Sequence, residues 1–390
     1  MGSLQGIPKG AVIAINDMLD NCALLKPGQE VVILADIDGL YGGDNLVDQE
    51  AVSWIQQAVT YRGANASVLW INEVAKPHAW RFPPVVKAAA GASDLIINNS
   101  FDIVHEELTD LKHFFREPGM KTTYLRNFAV TAPLLCTPWA QTPYELVSEI
   151  RYQAGLSITV GAHWQLTDPN GTHLEGIINQ TTNPRDWRDP NAKPYSYAVP
   201  RDENKAFPEW LTRPIKVSSV NGVFIFDCML SWWSRYIGIS PIFNKSIRLT
   251  IENSRITKIE GGDEADRLTL FLAAMKEHLG DGVYDIRALH SGVHPQAMVG
   301  PQQCPHTLYR RLIEHSHSSN IHIHIGAPSA TESYPYWMHC TGDIRNATFK
   351  IGNNLIHDCG HLTALDHPAV KAVAAKYPGR PGLDPAPRSY

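Results

Sequence analysis

The chain has 390 residues, 44% of them hydrophobic and 19% charged, with a formal net charge of −5. That length leaves room for two domains of ordinary size. The mild negative charge without a basic block argues against nucleic acid or an anionic membrane surface as a partner, and no apolar run reaches the roughly 18 residues that would suggest a bilayer span. The first ten residues (MGSLQGIPKG) lack the charged and apolar regions of a signal peptide. Six cysteines are scattered with no Cys-x-x-Cys pair, which suits reduced thiols and a cytoplasmic location.

Residues 30–36 (EVVILAD), 65–72 (NASVLWIN), 94–98 (DLIIN) and 122–126 (TTYLR) read as strands. Helical patterns lie between them at 47–61, 85–90 and 106–115. Strands alternating with helices predict βαβ units and a parallel sheet. The loop 36–45 (DIDGLYGGDN) matches neither dinucleotide nor P-loop fingerprints and reads as a tight connection. After a helix at 144–154 the rhythm changes. Residues 181–214 carry six prolines and read as a long irregular excursion, of the kind that forms a lid or a contact surface. A strand at 221–227 (NGVFIFD) and a hairpin of 246–252 with 255–260 follow. A helix then runs to about His278, with Asp263 as its expected N-cap. The predicted fold is α/β: an N-terminal βαβ parallel-sheet domain over 1–155, Rossmann-like in character, then an α+β C-terminal domain over 156–376 carrying a metal site. A Pro-rich tail over 377–390 is expected to be unstructured or wrapped over a neighbour.

Twelve of the seventeen histidines lie between His278 and His367, under a quarter of the chain. Histidine is the commonest metal ligand. Residues 321–325 read IHIHI, so on a strand His322 and His324 share one face and three isoleucines the other. His290 and His294 (ALHSGVHP) follow a strand end, and His339 lies in WMHCTGD. Three histidine-bearing segments from separate elements can together supply the ligands a first-row ion needs. His315 and His317 read as loop surface residues, His357 and His361 as a poor helical pair, and His306 and His367 as surface residues beside prolines. Glu175, Glu332 and Asp343 are the carboxylates considered as ligand or base. Trp232, Trp233 and Tyr236 could wall an apolar pocket, or pack in a core or subunit contact.

The run 247–268 (IRLTIENSRITKIEGGDEADRL), followed by ALHSGVHP, NIHIHIGAP and HCTGDIRNATFKI, resembles the aminopeptidase T family of metallopeptidases. It resembles still more their ring-cleaving relatives, the 2,5-dihydroxypyridine 5,6-dioxygenases. The similarity covers roughly residues 160–360. It implies that His290 stands at the first C-terminal ligand position, a histidine in the dioxygenases and a glutamate in the peptidases. The family's His-x-Asp ligand pair falls on His339 and Thr341, so the carboxylate is missing there. His322 corresponds to a histidine of the peptidases and would replace it, giving a site of His290, His322 and His339, with His324 and Asp343 as further ligand candidates.

The resemblance thus implies a mononuclear non-haem Fe(II) dioxygenase that opens a hydroxylated aromatic or N-heteroaromatic ring, with O2 as co-substrate and Glu175 or His294 as base. The alternative is an amide or peptide hydrolase using Zn, Mn or Co; a third is a binding protein that kept the fold without the full ligand set. A homo-oligomer is expected from the family.

Overall fold

The computed structural model describes residues 6–36, 48–71, 84–99, 122–180, 204–208, 214–228, 239–326 and 340–387. Its strands, in chain order, are β1 (Glu30–Asp36), β2 (Asn65–Ile71), β3 (Leu95–Asn99), β4 (Thr123–Asn127), β5 (His163–Thr167), β6 (His173–Gln180), β7 (Asn204–Phe207) and β8 (Ile215–Phe226). They continue with β9 (Ile247–Glu252), β10 (Arg255–Glu260), β11 (Ile286–Ser291), β12 (Asn320–Ile325), β13 (Cys340–Arg345), β14 (Thr348–Ile351), β15 (Asn354–Asp358) and β16 (His361–Leu362).

The four apolar runs of the first 155 residues and one later strand form a parallel sheet in the order β2-β1-β3-β4-β7. β3 is buried along its whole length, as expected of a strand covered on both faces. Asp48 caps the helix Gln49–Tyr61 by accepting from the Ala51 amide at 2.6 Å, and its second oxygen accepts from the Ala132 amide at 2.7 Å. The fifth strand, β7, comes from within the Pro-rich excursion, so that segment is not wholly irregular. Residues 181–203 and 209–213 lie outside the described residues, as do loop 37–47 and the predicted helix 106–115.

The remaining strands form an eleven-stranded sheet along the path β13-β12-β11-β8-β6-β5-β14-β15-β16, with the β9–β10 hairpin attached through β8. Asn253 and Ser254 turn that hairpin with positive φ at both positions (46° and 66°). The sheet curls back on itself. Asp343 of β13 bridges to Cys228 just beyond β8, and Gly342 lies where an added Cβ would come within 2.8 Å of Phe224 and Phe226. The following helix spans Asp263–Leu279, but Gly262 is its N-cap and makes no side-chain cap bond. Asp263 is the first helical residue instead, and its carboxylate accepts from Arg267 at 2.7 Å.

The two sheets are tied together by later parts of the chain. The helix Thr307–His315 lays Leu308, Tyr309, Leu312 and Ile313 into the same core as β1, β3 and β4, and the Tyr309 hydroxyl donates to the Phe128 carbonyl. The tail is ordered against its own chain to residue 387. Tyr377 donates to Glu145, Arg380 Nε to the Gln141 carbonyl at 2.7 Å, and the Ala386 amide to the Pro295 carbonyl at 2.8 Å. These hydrogen bonds, with Tyr377 and Arg380 half-buried, show why prolines there do not imply disorder. Among the described residues no helix is long and apolar enough to cross a membrane.

Close backbone approach just after β11 sets the entry to the histidine region. A Cβ added at Gly292 would lie 2.1 Å from the His317 carbonyl oxygen and 2.6 Å from Ser316 backbone atoms. We expect Gly292→Ala to destabilise the protein at the upper end of the ~1–3 kcal/mol typical of overpacking. Gly382→Ala, with no atom within 4 Å of the added carbon, should be near neutral, both variants being compared by urea titration.

Candidate metal centre

β12 alternates isoleucine and histidine, and both of its faces are buried. Ile321, Ile323 and Ile325 enter the apolar core of the antiparallel sheet. On the other face His322 is 1% exposed and His324 7%, so the histidines do not simply meet solvent. Register supplies their neighbours. His290 of β11 lies directly across from His322, which in turn lies across from Asp343 of β13. One step along, His324 stands between Ala288 and Thr341. Directly opposed residues on one face of antiparallel strands have Cβ atoms roughly 5 Å apart. The result is a buried row, His290–His322–Asp343, flanked by His324. Ring centroids are 4.7 Å apart for His290–His322, 4.9 Å for His290–His324 and 5.3 Å for His322–His324.

A fourth imidazole comes from outside the sheet. His315, the last residue of the helix Thr307–His315, stacks on His322 with centroids 3.6 Å apart. Its Nδ1 lies 3.1 Å from each carboxylate oxygen of Asp343. Asn320 Nδ2 donates to Asp343 Oδ2 at 3.1 Å and to the His315 carbonyl at 3.4 Å. Two sets of ligand atoms therefore lie within 4.8 Å of one another: His290, His322 and His324, and His315, His322 and Asp343. First-row ions bind imidazole nitrogen at about 2.1 Å, so trans ligands stand about 4.2 Å apart. Small side-chain rotations would close either set on an ion, and imidazole with carboxylate is a donor set that iron, zinc, manganese and cobalt all accept. The residues present fit a metal. Each buried imidazole on this face must be given hydrogen-bonding partners, a requirement apolar residues would not impose on packing.

The other histidines divide by burial. His294 is fully buried, bridges to His317 and packs against Trp139 at 6.5 Å between ring centroids; its Nδ1 accepts from the Gln296 amide at 3.2 Å. Burial, with His317 nearby, pushes it down to about 3. His357 is also fully buried, and its Nε2 lies 2.6 Å from Ser291 Oγ. The Ser291 hydroxyl donates to the Gly292 carbonyl at 2.9 Å, so it accepts from the imidazole. Burial, then His361, pushes His357 down to about 3. His306 and His367 accept from helix amides as N-caps.

The structure therefore brings His290, His322, His324 and Asp343 together. His339, Glu332 and the Trp232, Trp233 and Tyr236 cluster lie outside the described residues. His294 belongs to neither ligand set. Glu175 lies on β6, separated from β11 by β8, where it is 43% exposed and 3.3 Å from His163 Nε2; it is not brought to the histidines. Thr341 occupies the position where the family carboxylate was expected, and Asp343 places a carboxylate on the same face two residues on. His315 and His317, read from sequence as surface loop, are 3% and 2% exposed. The apolar face of the helix over 307–315, with Leu308, Leu312 and Ile313 inward, was the available signal that His315 ends a packed helix. His357 and His361 lie on β15 and β16, not on a helix. A cleft of about 310 Å³ opens beside Asp343, lined also by Asp168, Asp227 and Arg345.

No protein-family model matches the chain, and no curated protein matches it in sequence. Its fold does match solved structures. The 2,5-dihydroxypyridine dioxygenase of Pseudomonas putida KT2440 aligns over 91% of this chain and 98% of its own, with a TM-score of 0.57 and 14% identity. AmpT from Thermus thermophilus aligns over 90% of this chain and 98% of its own, with a TM-score of 0.52 and 11% identity. The chain thus has the α/β architecture of the two groups that its motifs resemble, and the likeness extends across both sheets.

The two depressed histidines set a pH dependence. Each is neutral when folded down to about 3, whereas its ordinary value is 6.5. Between those limits the unfolded chain binds more protons, so stability falls as pH drops from 6.5 towards 3, by up to ~1.4 kcal/mol per pH unit for each group. Urea midpoints measured from pH 7 to pH 4 should fall, and His357→Asn should make that fall shallower.

Proposed function

We propose that the chain is a mononuclear non-haem iron dioxygenase that opens the ring of a hydroxylated aromatic or N-heteroaromatic compound. In this reading His290, His322 and His339 hold the ion, with His324 and Asp343 beside them. The observation that carries it is the composition of the buried cluster: four imidazoles and one carboxylate among the described residues, with that carboxylate already facing His315 and Asn320. Such a set suits one ion better than a pair bridged by carboxylates.

Bound iron(II) would supply a redox-active Lewis acid with positions left open for substrate and O2. The chain's own contribution is to hold it with neutral imidazoles, which cancel little of its charge and so favour an anionic, chelating substrate. Burial of the rings keeps bulk water from the centre. The cleft meets the cluster only at Asp343, and Arg345 on its wall is ion-paired to Asp227 at 2.5 Å. The fold shared with the Pseudomonas putida dioxygenase supports this reading.

A second reading, a metal-dependent amide or peptide hydrolase, is favoured by the presence of two overlapping ligand sets where one ion needs only one. Metal analysis of protein purified anaerobically without a His-tag separates the two. The dioxygenase reading expects close to one iron per chain and oxygen uptake with dihydroxypyridines or related diols. Two zinc, manganese or cobalt ions per chain, with amide cleavage and no oxygen uptake, would overturn it. His290→Ala and His322→Ala should each lose the metal; full metal retention by both would remove the site.

A further inference from the structure

We propose that His315 is itself a ligand of the metal centre and that Asp343 acts through it, as a positioning residue holding the ring in its binding tautomer. The proposal rests on the reading of the cluster as a metal centre but not on the reaction assigned to it.

The side chains of His315 and Asp343 are 4% and 6% exposed, so their meeting is a built feature of the interior. Both carboxylate oxygens face the same ring nitrogen, Nδ1, at 3.1 Å. A carboxylate accepts, so Nδ1–H is the donor in this pair, and Nε2 is the ring nitrogen left to offer a lone pair to an ion. This is the arrangement in which metal-binding histidines are commonly held, with the ring nitrogen away from the ion donating to a carboxylate. His315 already stacks on His322 at 3.6 Å between centroids, which brings it to the edge of the ligand row.

Asp343 is in turn fixed on every side. Its amide donates to the Cys228 carbonyl at 3.0 Å, and Asn320 Nδ2 donates to its Oδ2 at 3.1 Å. The neighbouring charges are engaged elsewhere, Arg345 with Asp227 and Arg311 with Glu314. An ion bound directly by Asp343 would compete with His315 and Asn320 for its oxygens, whereas ligation through His315 leaves these contacts as they stand. The geometry also gives the helix Thr307–His315 a role: anchored in the core beneath the parallel sheet, it delivers a ligand to the antiparallel one.

The test titrates Co(II) alone into wild-type protein, His315→Gln, Asp343→Asn and the double variant, following affinity and the visible d–d absorption, with circular dichroism to check folding. Asp343→Asn should weaken binding ~10–100-fold with the number of nitrogen ligands unchanged. His315→Gln should weaken it further and shift the d–d bands. The double variant should bind like His315→Gln, because Asp343 has nothing left to position. Additive losses in the double variant would make Asp343 a direct ligand and overturn the proposal, as would His315→Gln binding within threefold of wild type with the same spectrum. Failure of the wild type itself to bind Co(II) would instead remove the metal centre. Should the variants not fold, NMR of the Co(II)-loaded wild type decides: a hyperfine-shifted His315 Nδ1–H supports the assignment, and a diamagnetic position refutes it.

Discussion

The register of three neighbouring strands is the constraint on which the candidate centre depends. Side chains alternate faces along a strand, so a slip of one residue between β11 and β12, or between β12 and β13, would move one partner of the buried row to the other face. The isoleucines of β12 prevent it. They are fully buried in the apolar core, and any slip that exposed them to the polar row would bury imidazoles among aliphatic side chains instead. The hydrophobic face thus aligns the polar one.

That alignment is reinforced from outside the sheet. The helix Thr307–His315 belongs by packing to the core around the parallel strands, yet its last residue reaches the antiparallel sheet. The loop after β11 passes so close to the backbone at 316–317 that only glycine fits at 292. Asp343 sits where these constraints meet, with its main chain bridged to Cys228 and its side chain between His315 and Asn320. A buried carboxylate held by hydrogen-bonding partners is tolerable, and removal of one partner leaves the charge uncompensated. The cluster is therefore costly to retain for packing alone, which is the physical argument for a function there.

Fold and chemistry carry different information here. An architecture shared with both a 2,5-dihydroxypyridine dioxygenase and AmpT, at 14% and 11% identity, accommodates more than one reaction. The fold does not choose between them; the donor set, and how many carboxylates reach the imidazoles, is where such reactions would differ. In this chain Thr341 withholds one carboxylate and Asp343 offers another, already engaged by a histidine.

Local pattern was enough to show much of this. Apolar runs marked β1 to β4, the Asn253–Ser254 turn marked the β9–β10 hairpin, and the IHIHI alternation placed His322 and His324 on one face, because these features depend on residues close in the chain. Their family resemblance likewise pointed to His290. The sequence could not show that both faces of β12 are buried, since alternation looks the same whether the polar side meets solvent or a second layer. Nor could it pair His315 with Asp343, which are 28 residues apart and joined only by the packing of a helix end against β12 and β13. It also read the Pro-rich excursion and tail from composition, whereas pairing with β4 makes a strand of 204–207 and contacts with Glu145, Gln141 and Pro295 order the tail. Period and turn chemistry are local properties of the chain; ligand geometry belongs to the tertiary fold, because it depends on which surfaces meet.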